Sequence, residues 1–249
     1  MFENIIEFKS KKEYLDIKDN HPKPIKLNIP QWFKDLEHKF PKLTVKGCMP
    51  FLDTLTTGYV LSLPQPFLIN HNILDDQGNR ISKFIPANVV SEFGVLFNLN
   101  NRHDQETQLH PEFQVENSSL AQKNKNLPIQ KFVNPWIIKT PPGYSCLFLP
   151  PMNNQDDRFS IIPGIVDTDK YNNQINFPFI VNGDKYPVLE TILKKGTPYV
   201  QVIPFKREGW KIKISEYKKD EIVKNSLRYH LSNLIHNYKS NNWQKKSWK

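Results

Sequence analysis

Between residues 141 and 205 the chain is broken by glycine or proline so often that no long helix fits. A Pro141-Pro142-Gly143-Tyr144 turn leads into an apolar run at 147–149, and Pro163-Gly164-Ile165-Val166-Asp167-Thr168-Asp169 follows. An alternating run at 174–181 and the closing Gly196-Thr197-Pro198-Tyr199-Val200-Gln201-Val202-Ile203-Pro204-Phe205 complete the stretch. Short β-branched and aromatic segments between such breakers predict strands joined by tight turns. The 20 prolines of the whole chain extend the argument, because proline removes a backbone donor and breaks helix interiors. The expected fold is mainly β: a compact distorted barrel, sandwich or β-clip core with a short N-terminal helix and a C-terminal amphipathic helix.

Three regions are expected. Residues 1–42 form an N-terminal extension in which Pro30-Gln31-Trp32-Phe33-Lys34-Asp35-Leu36-Glu37-His38-Lys39-Phe40 reads as a short helix with proline at its first turn and an apolar face of Trp32, Phe33, Leu36 and Phe40. Residues 43–210 form the β-core, with β-segments expected at 44–51 and 57–64. A hairpin is expected where Asp75-Asp76-Gln77-Gly78-Asn79 separates runs at 67–72 and 80–85. A polar insertion is expected at 87–131, with short strands at 89–90 and 94–99. Residues 211–249 read as a basic helix and tail, in which Ile222, Val223, Leu227, Leu231, Leu234 and Ile235 mark one face of a helix over 216–237.

Charge is concentrated in that last region. Of the net +9, seven positive charges fall in residues 211–249, where ten Lys and Arg face three acids. Such asymmetry suits an anionic partner, or simply a solvated helix. Lys206 and Arg207 with Trp210, and Lys245 and Lys246 with Trp243 and Trp248, form two basic-aromatic clusters. They suit docking to another protein through tryptophan anchors, or stacking on single-stranded nucleic acid. Arg207-Glu208 also reads as a structural ion pair beneath Trp210. The N-terminus lacks the pattern of a secretory signal, and no apolar run reaches a membrane span. The expectation is a cytoplasmic or virion-associated protein, not secreted, with no membrane partner.

Two cysteines, Cys48 and Cys146, give neither a disulfide framework nor a CxxC metal spacing, though a single bridge between them stays open. The seven histidines match no metal signature, so no metal site is expected. Asp167 and Asp169 are the prominent acidic pair. Two residues apart, they share a face if they lie on a strand, and at a strand end they suit a metal or a water. They suit equally a hydrogen-bonded turn before Tyr171-Asn172-Asn173.

In order along the chain, several segments resemble the motifs of the trimeric dUTPase and dCTP deaminase superfamily. Thr57-Gly58-Tyr59-Val60-Leu61 resembles the first motif, and Pro142-Gly143-Tyr144 the turn before the second. Gly164 to Asp169 with Tyr171 resembles the third, and Gly196 through Gln201-Val202-Ile203 the fourth. The resemblance implies a β-clip core that associates as a trimer, and ligand contacts at Tyr59, Tyr144 and Gln201. It also implies a water-activating role for Asp167, with Asp169 and Tyr171 beside it.

The departures are specific. Val60 stands where the first motif has Asp, and Pro151-Met152-Asn153-Asn154 replaces the phosphate-gripping Arg-Ser-Gly. Lys170 is an extra residue before Tyr171, and a basic segment replaces the glycine-rich C-terminal arm. Trp32-Phe33-Lys34, the segment Lys46-Gly47-Cys48-Met49-Pro50-Phe51-Leu52-Asp53, and Phe205-Lys206-Arg207-Glu208-Gly209-Trp210 also look like a family found in marine tailed phages and some bacteria.

These readings favour a non-catalytic binding or assembly protein that self-associates and needs no cofactor. The alternative is a divergent pyrimidine-nucleotide hydrolase or deaminase using Asp167, Asp169 and Tyr171 with Mg2+. A single-stranded nucleic-acid binder is the third reading.

Overall fold

The computed structural model describes residues 4–86, 109–217, 223, 226–227 and 238–249. In chain order the elements are β1 (Glu7–Lys9), α1 (Lys12–Leu15), β2 (Lys23–Pro24), α2 (Gln31–Asp35), α3 (Met49–Thr56), β3 (Tyr59–Ser62), β4 (Phe67–Leu74) and β5 (Arg80–Pro86). After them come α4 (Ser119–Lys123), β6 (Gln130–Phe132), β7 (Ile137–Lys139), β8 (Tyr144–Leu149) and β9 (Phe159–Ile161). The last are β10 (Gly164–Val166), β11 (Phe177–Val181), β12 (Leu189–Leu193) and β13 (Pro198–Lys206). The fold is mainly β, as expected, and its strands form four antiparallel sheets that do not close into a barrel among the described residues.

The largest sheet runs β10-β8-β13-β3-β2. Strand β13 lies at its centre, paired with β8 from Gln201↔Leu149 to Lys206↔Tyr144 and with β3 from Pro198↔Ser62 to Val202↔Tyr59. Its buried run Tyr199, Val200, Gln201 and Val202 explains why the sequence alternates so weakly there, since both faces are covered. The sheets β6-β11-β9 and β12-β4-β5 pack over it. Between them lies an aromatic core in which Phe132 stacks on Phe179 at 4.3 Å and meets Phe84, Phe159 and Tyr199 within 5.3 Å. Rings at these separations add specific geometry to a large apolar burial.

The hairpin β4–β5 forms where expected. The Asp75 carboxylate accepts from the Gln77 and Asn79 amides at 2.9 and 2.8 Å, and Gly78 takes the left-handed conformation (φ +80°) that the turn needs.

The β-segment expected at 44–51 is corrected to a helix. Val45–Gly47 is a 3-10 turn and Met49–Thr56 is α3. Pro50 sits in its first turn, where a missing amide proton costs nothing, and Met49 and Leu55 are buried. The helix expected at 30–40 is the shorter, five-residue α2, because Leu36 is already extended (ψ 118°), and the strand expected at 174–181 is Phe177–Val181. Of the insertion, the described residues 109–131 rejoin the core: Ala121, Leu127 and Ile129 are buried, and β6 pairs with β11. The strands expected at 89–90 and 94–99 lie outside the described residues, as does most of the helix expected at 216–237. Glu216 and Tyr217 are in no helix.

Candidate functional site

Asp167 and Asp169 follow β10 in a turn, where the Asp167 carbonyl accepts from the Lys170 and Tyr171 amides at 3.0 and 2.9 Å. Asp169 is enclosed, its side chain 6% exposed against 57% for Asp167. Arg207, just past the end of β13, holds it through both guanidinium nitrogens, with Nη1 to Oδ1 at 2.9 Å. The Gly143 amide donates to Oδ2 at 2.9 Å. This fork-on-fork pairing and the backbone donor keep the Asp169 carboxyl well below the usual carboxylate range, and the pairing with Asp169, with Asp167 nearby, raises Arg207 in turn.

Asp167 accepts the Ser145 hydroxyl at 2.6 Å and lies 3.2 Å from Arg207 Nη1. Arg207 also donates to the Tyr144 carbonyl and to Ser145 Oγ, both at 3.0 Å. The structure thus brings Asp167 and Asp169 together, but around a guanidinium. The guanidinium compensates the charge of both carboxylates. Tyr171 is exposed nearby, over a shallow hollow it shares with Ile165, Val166, Asp167 and Lys170. Among the described residues, no group of three His, Cys, Asp or Glu is placed to hold a metal.

Beside this cluster the Cys146 thiol is buried, pushed up to about 11 by desolvation, and accepts from Thr168 at 3.4 Å. Cys48 is exposed and both cysteines are free, so no bridge joins them.

Gln201 is fully enclosed and its amide is fully used. Oε1 accepts from the Met152 amide at 2.9 Å, while Nε2 donates to the Thr54 and Thr57 carbonyls at 3.1 and 2.7 Å. Those carbonyls belong to the end of α3, which lacks intrahelical partners for its last turn. Gly58 completes the stop in the left-handed region (φ +80°). A Cβ there would lie 2.2 Å from the Val202 carbonyl oxygen.

Tyr59 and Tyr144 do come together, away from Gln201. They line a half-open cavity of about 530 Å³ with Ile5, Pro141, Pro204 and Trp248. The Tyr59 and Trp248 rings meet edge-to-face at 5.9 Å. Asn4 donates to the Tyr144 phenol at 2.9 Å, and the Tyr59 phenol, raised by burial, donates to the Lys249 carbonyl at 3.3 Å. The Trp248 indole N–H is enclosed and meets no acceptor among the described residues.

The basic-aromatic residues divide. Trp243 Nε1 donates to the Asp53 carboxylate at 3.2 Å and Lys246 pairs with the same group, which pins the tail to α3. Lys245 is exposed. Arg207 turns inward to the aspartates, while Glu208 pairs with Lys206 at 3.1 Å, so the expected Arg207–Glu208 pair is not the one formed. Beyond it, every residue from 208 to 217 is exposed and in no helix or strand. Trp210 is 87% exposed, and Ile212 and Ile214 are each 90% exposed.

Sequence reasoning gave no role to Ser145, Asp53, Ile212 or Ile214. The period-two spacing Trp210-Ile212-Ile214 was the one available signal; the Asp53 contacts span about 190 residues and leave no local trace. No helix of the described residues is long and apolar enough to cross a membrane. No protein-family model matches the chain, and no curated protein matches it.

Proposed function

We propose that this chain is a non-catalytic binding and assembly protein that associates with further copies of itself, as a trimer, through the arm at 209–217. The arm carries the reading. Trp210, Ile212 and Ile214 recur with the period of a strand, with Lys211 and Lys213 between them. Their exposure leaves a row of large apolar groups in water, a pattern that marks an interaction segment. Edge strands supply complementary surface: β10 and β12 each end a sheet and present Ile165 and Ile192 outward. A strand laid on such an edge gains main-chain hydrogen bonds, and alternate side chains give it register.

The state of the motif residues supports the same reading. Arg207 occupies Asp169, Ser145 and Arg207 occupy Asp167, and Gln201 ends a helix. The hydrolase alternative would require Arg207 to leave both aspartates before either could activate water or hold Mg2+.

Sedimentation of the wild-type chain and of the double variant Trp210→Ser, Ile212→Ser tests the proposal. Both side chains are exposed in the single chain, so the variant keeps its fold. The expected result is a concentration-dependent oligomer that becomes a monomer in the variant. A wild-type chain that stays monomeric at its highest soluble concentration refutes it.

A further inference from the structure

The sheet edges differ in what they offer an incoming strand. Among the described residues, the edge strands that carry an exposed large apolar side chain are β10, with Ile165, and β12, with Ile192. The short edge β2 is Lys23–Pro24, and its proline has no amide to give. On the edge strand β5, the Gln130 side chain donates to the Ser82 carbonyl at 2.9 Å.

Strand β12 is also met by a side chain. The Arg158 guanidinium, held by Asp156 through Nε and Nη2 at 2.9 and 2.6 Å, donates to the Thr191 hydroxyl at 3.0 Å and reaches the Ile192 carbonyl at 3.5 Å. A strand added there has to displace a largely enclosed ion pair. Strand β10 carries no such guard: no side chain among the described residues bonds the backbone of Gly164 or Ile165. An edge strand leaves a row of backbone groups for a partner, and here Ile165, Val166 and Tyr171 line the shallow hollow beside them.

The row Trp210, Ile212 and Ile214 has the spacing for this edge. Alternate residues of a strand stand about 7 Å apart on one face, so with Ile212 beside Ile165 the next member of the row lies towards Tyr171. The chain's own arm cannot seat the whole row. It leaves β13 at Arg207, and the outer edge of β10 lies three strand spacings away, roughly 14 Å. An extended chain covers that distance in about four residues, so residue 211 is the first to arrive and Trp210 is left on the way. The arm of a second copy has no such tether and can lay all three side chains along the edge.

We propose that the outer edge of β10 is the seat for the arm of a second copy, whose residues 210–214 add a strand beside Gly164–Val166 and set the apolar row on Ile165 and Tyr171. The inference rests on the arm-mediated self-association proposed above and names its acceptor. Each chain gives its arm to one neighbour and takes an arm from another, a head-to-tail contact of the kind that closes as a ring.

Sedimentation of the full chain and its variants at one concentration tests it. Ile165→Lys is expected to be monomeric, Tyr171→Ser to dissociate about tenfold more readily than wild type, and Ile192→Lys to stay oligomeric. Ile165 and Tyr171 are exposed, so melting curves should match wild type. A 1:1 mixture of Ile165→Lys with the arm variant Trp210→Ser, Ile212→Ser should give a dimer, because the first keeps a sound arm and the second a sound edge. An oligomer that survives Ile165→Lys and Tyr171→Ser but not the arm variant overturns the seat on β10 and leaves the arm reading standing. A monomeric wild type overturns both. Ile165→Lys and the arm variant each monomeric, with no mixed dimer, overturns exchange between copies.

Discussion

Gln201→Leu replaces a fully enclosed amide with an apolar group of similar size, and it should show whether Gln201 is structural. Three backbone groups lose their partner: the Met152 amide and the carbonyls of Thr54 and Thr57. A buried polar group left unmade costs about 1–3 kcal/mol. Each of these bonds is only part-buried, so the low end applies and the sum is about 3 kcal/mol. For a chain of this length that lowers Tm by roughly 6–12 °C. Equilibrium urea unfolding at pH 7 reads the loss as a fall in midpoint with an unchanged slope.

Gln201→Glu sharpens the test. At pH 7 the introduced carboxylate accepts from Met152 but faces two carbonyls, so the variant should be at least as unstable as Gln201→Leu. Its folded-state pKa would be raised above the unfolded value of about 4.3. The deficit against wild type should therefore shrink as pH falls towards that value, because the protonated acid can donate to the Thr57 carbonyl. If Gln201→Leu stays within about 0.5 kcal/mol of wild type, the amide does not end α3 and is free for a ligand.

Three other outcomes follow from the same geometry. Gly58→Ala should cost more than Gln201→Leu, because a Cβ would lie 2.2 Å from the Val202 carbonyl oxygen at φ +80°; thermal melting of the soluble fraction checks the order. His71 is fully buried, with Nδ1 3.0 Å from Ser82 Oγ, Nε2 without a partner among the described residues, and its pKa pulled down to about 4 by burial and then by Lys125. Its neutral form stabilises the fold above the unfolded pKa of about 6.5, and roughly 3 kcal/mol is lost as pH falls from there to about 4; His71→Leu should flatten that part of the urea-midpoint profile. Asp53→Asn weakens the hold on Trp243 and Lys246, so trypsin should cut at Lys245 and Lys246 several-fold faster than in wild type, while the core resists both ways.

The β-character of the chain was readable because its signals are local. The Asp75–Asn79 turn, the left-handed glycines and the apolar run of β13 each act within a few residues. Helix α3 was not readable as such: Thr44, Val45, Gly47 and Pro50 look like a strand bounded by breakers, and only the burial of Met49 and Leu55 favours the helix. At the acidic pair, the spacing of Asp167 and Asp169 is visible in the sequence, whereas their partner lies 38 residues beyond Asp169, at the far end of β13. Strand register brings Arg207 there, with Lys206 paired opposite Tyr144 at the turn, and no spacing rule announces that. The same holds for Trp243 and Asp53, which meet only because the tail returns to α3.

Gly58, Gly143, Asp169 and Gln201, four of the residues behind the superfamily resemblance, share one property in the structure. Gly58 and Gln201 end a helix, Gly143 donates its amide to Asp169, and Asp169 with Arg207 ties the turn after β10 to the end of β13. Each satisfies a backbone group or permits a backbone conformation, and none presents an unengaged reactive atom. A resemblance carried by such residues speaks for how a chain folds, because the same turns and helix ends need the same glycines and amides whatever surrounds them. Chemistry needs the opposite: a carboxylate held near a substrate with its charge uncompensated. Asp167 comes nearest, since its side chain is more than half exposed, yet Ser145 and Arg207 both reach it. Arg207→Ala separates the two roles. If the pair is structural, the variant loses thermal stability and gains no hydrolysis of pyrimidine nucleoside triphosphates with Mg2+. Turnover appearing in the variant would mean that the guanidinium masks a working site.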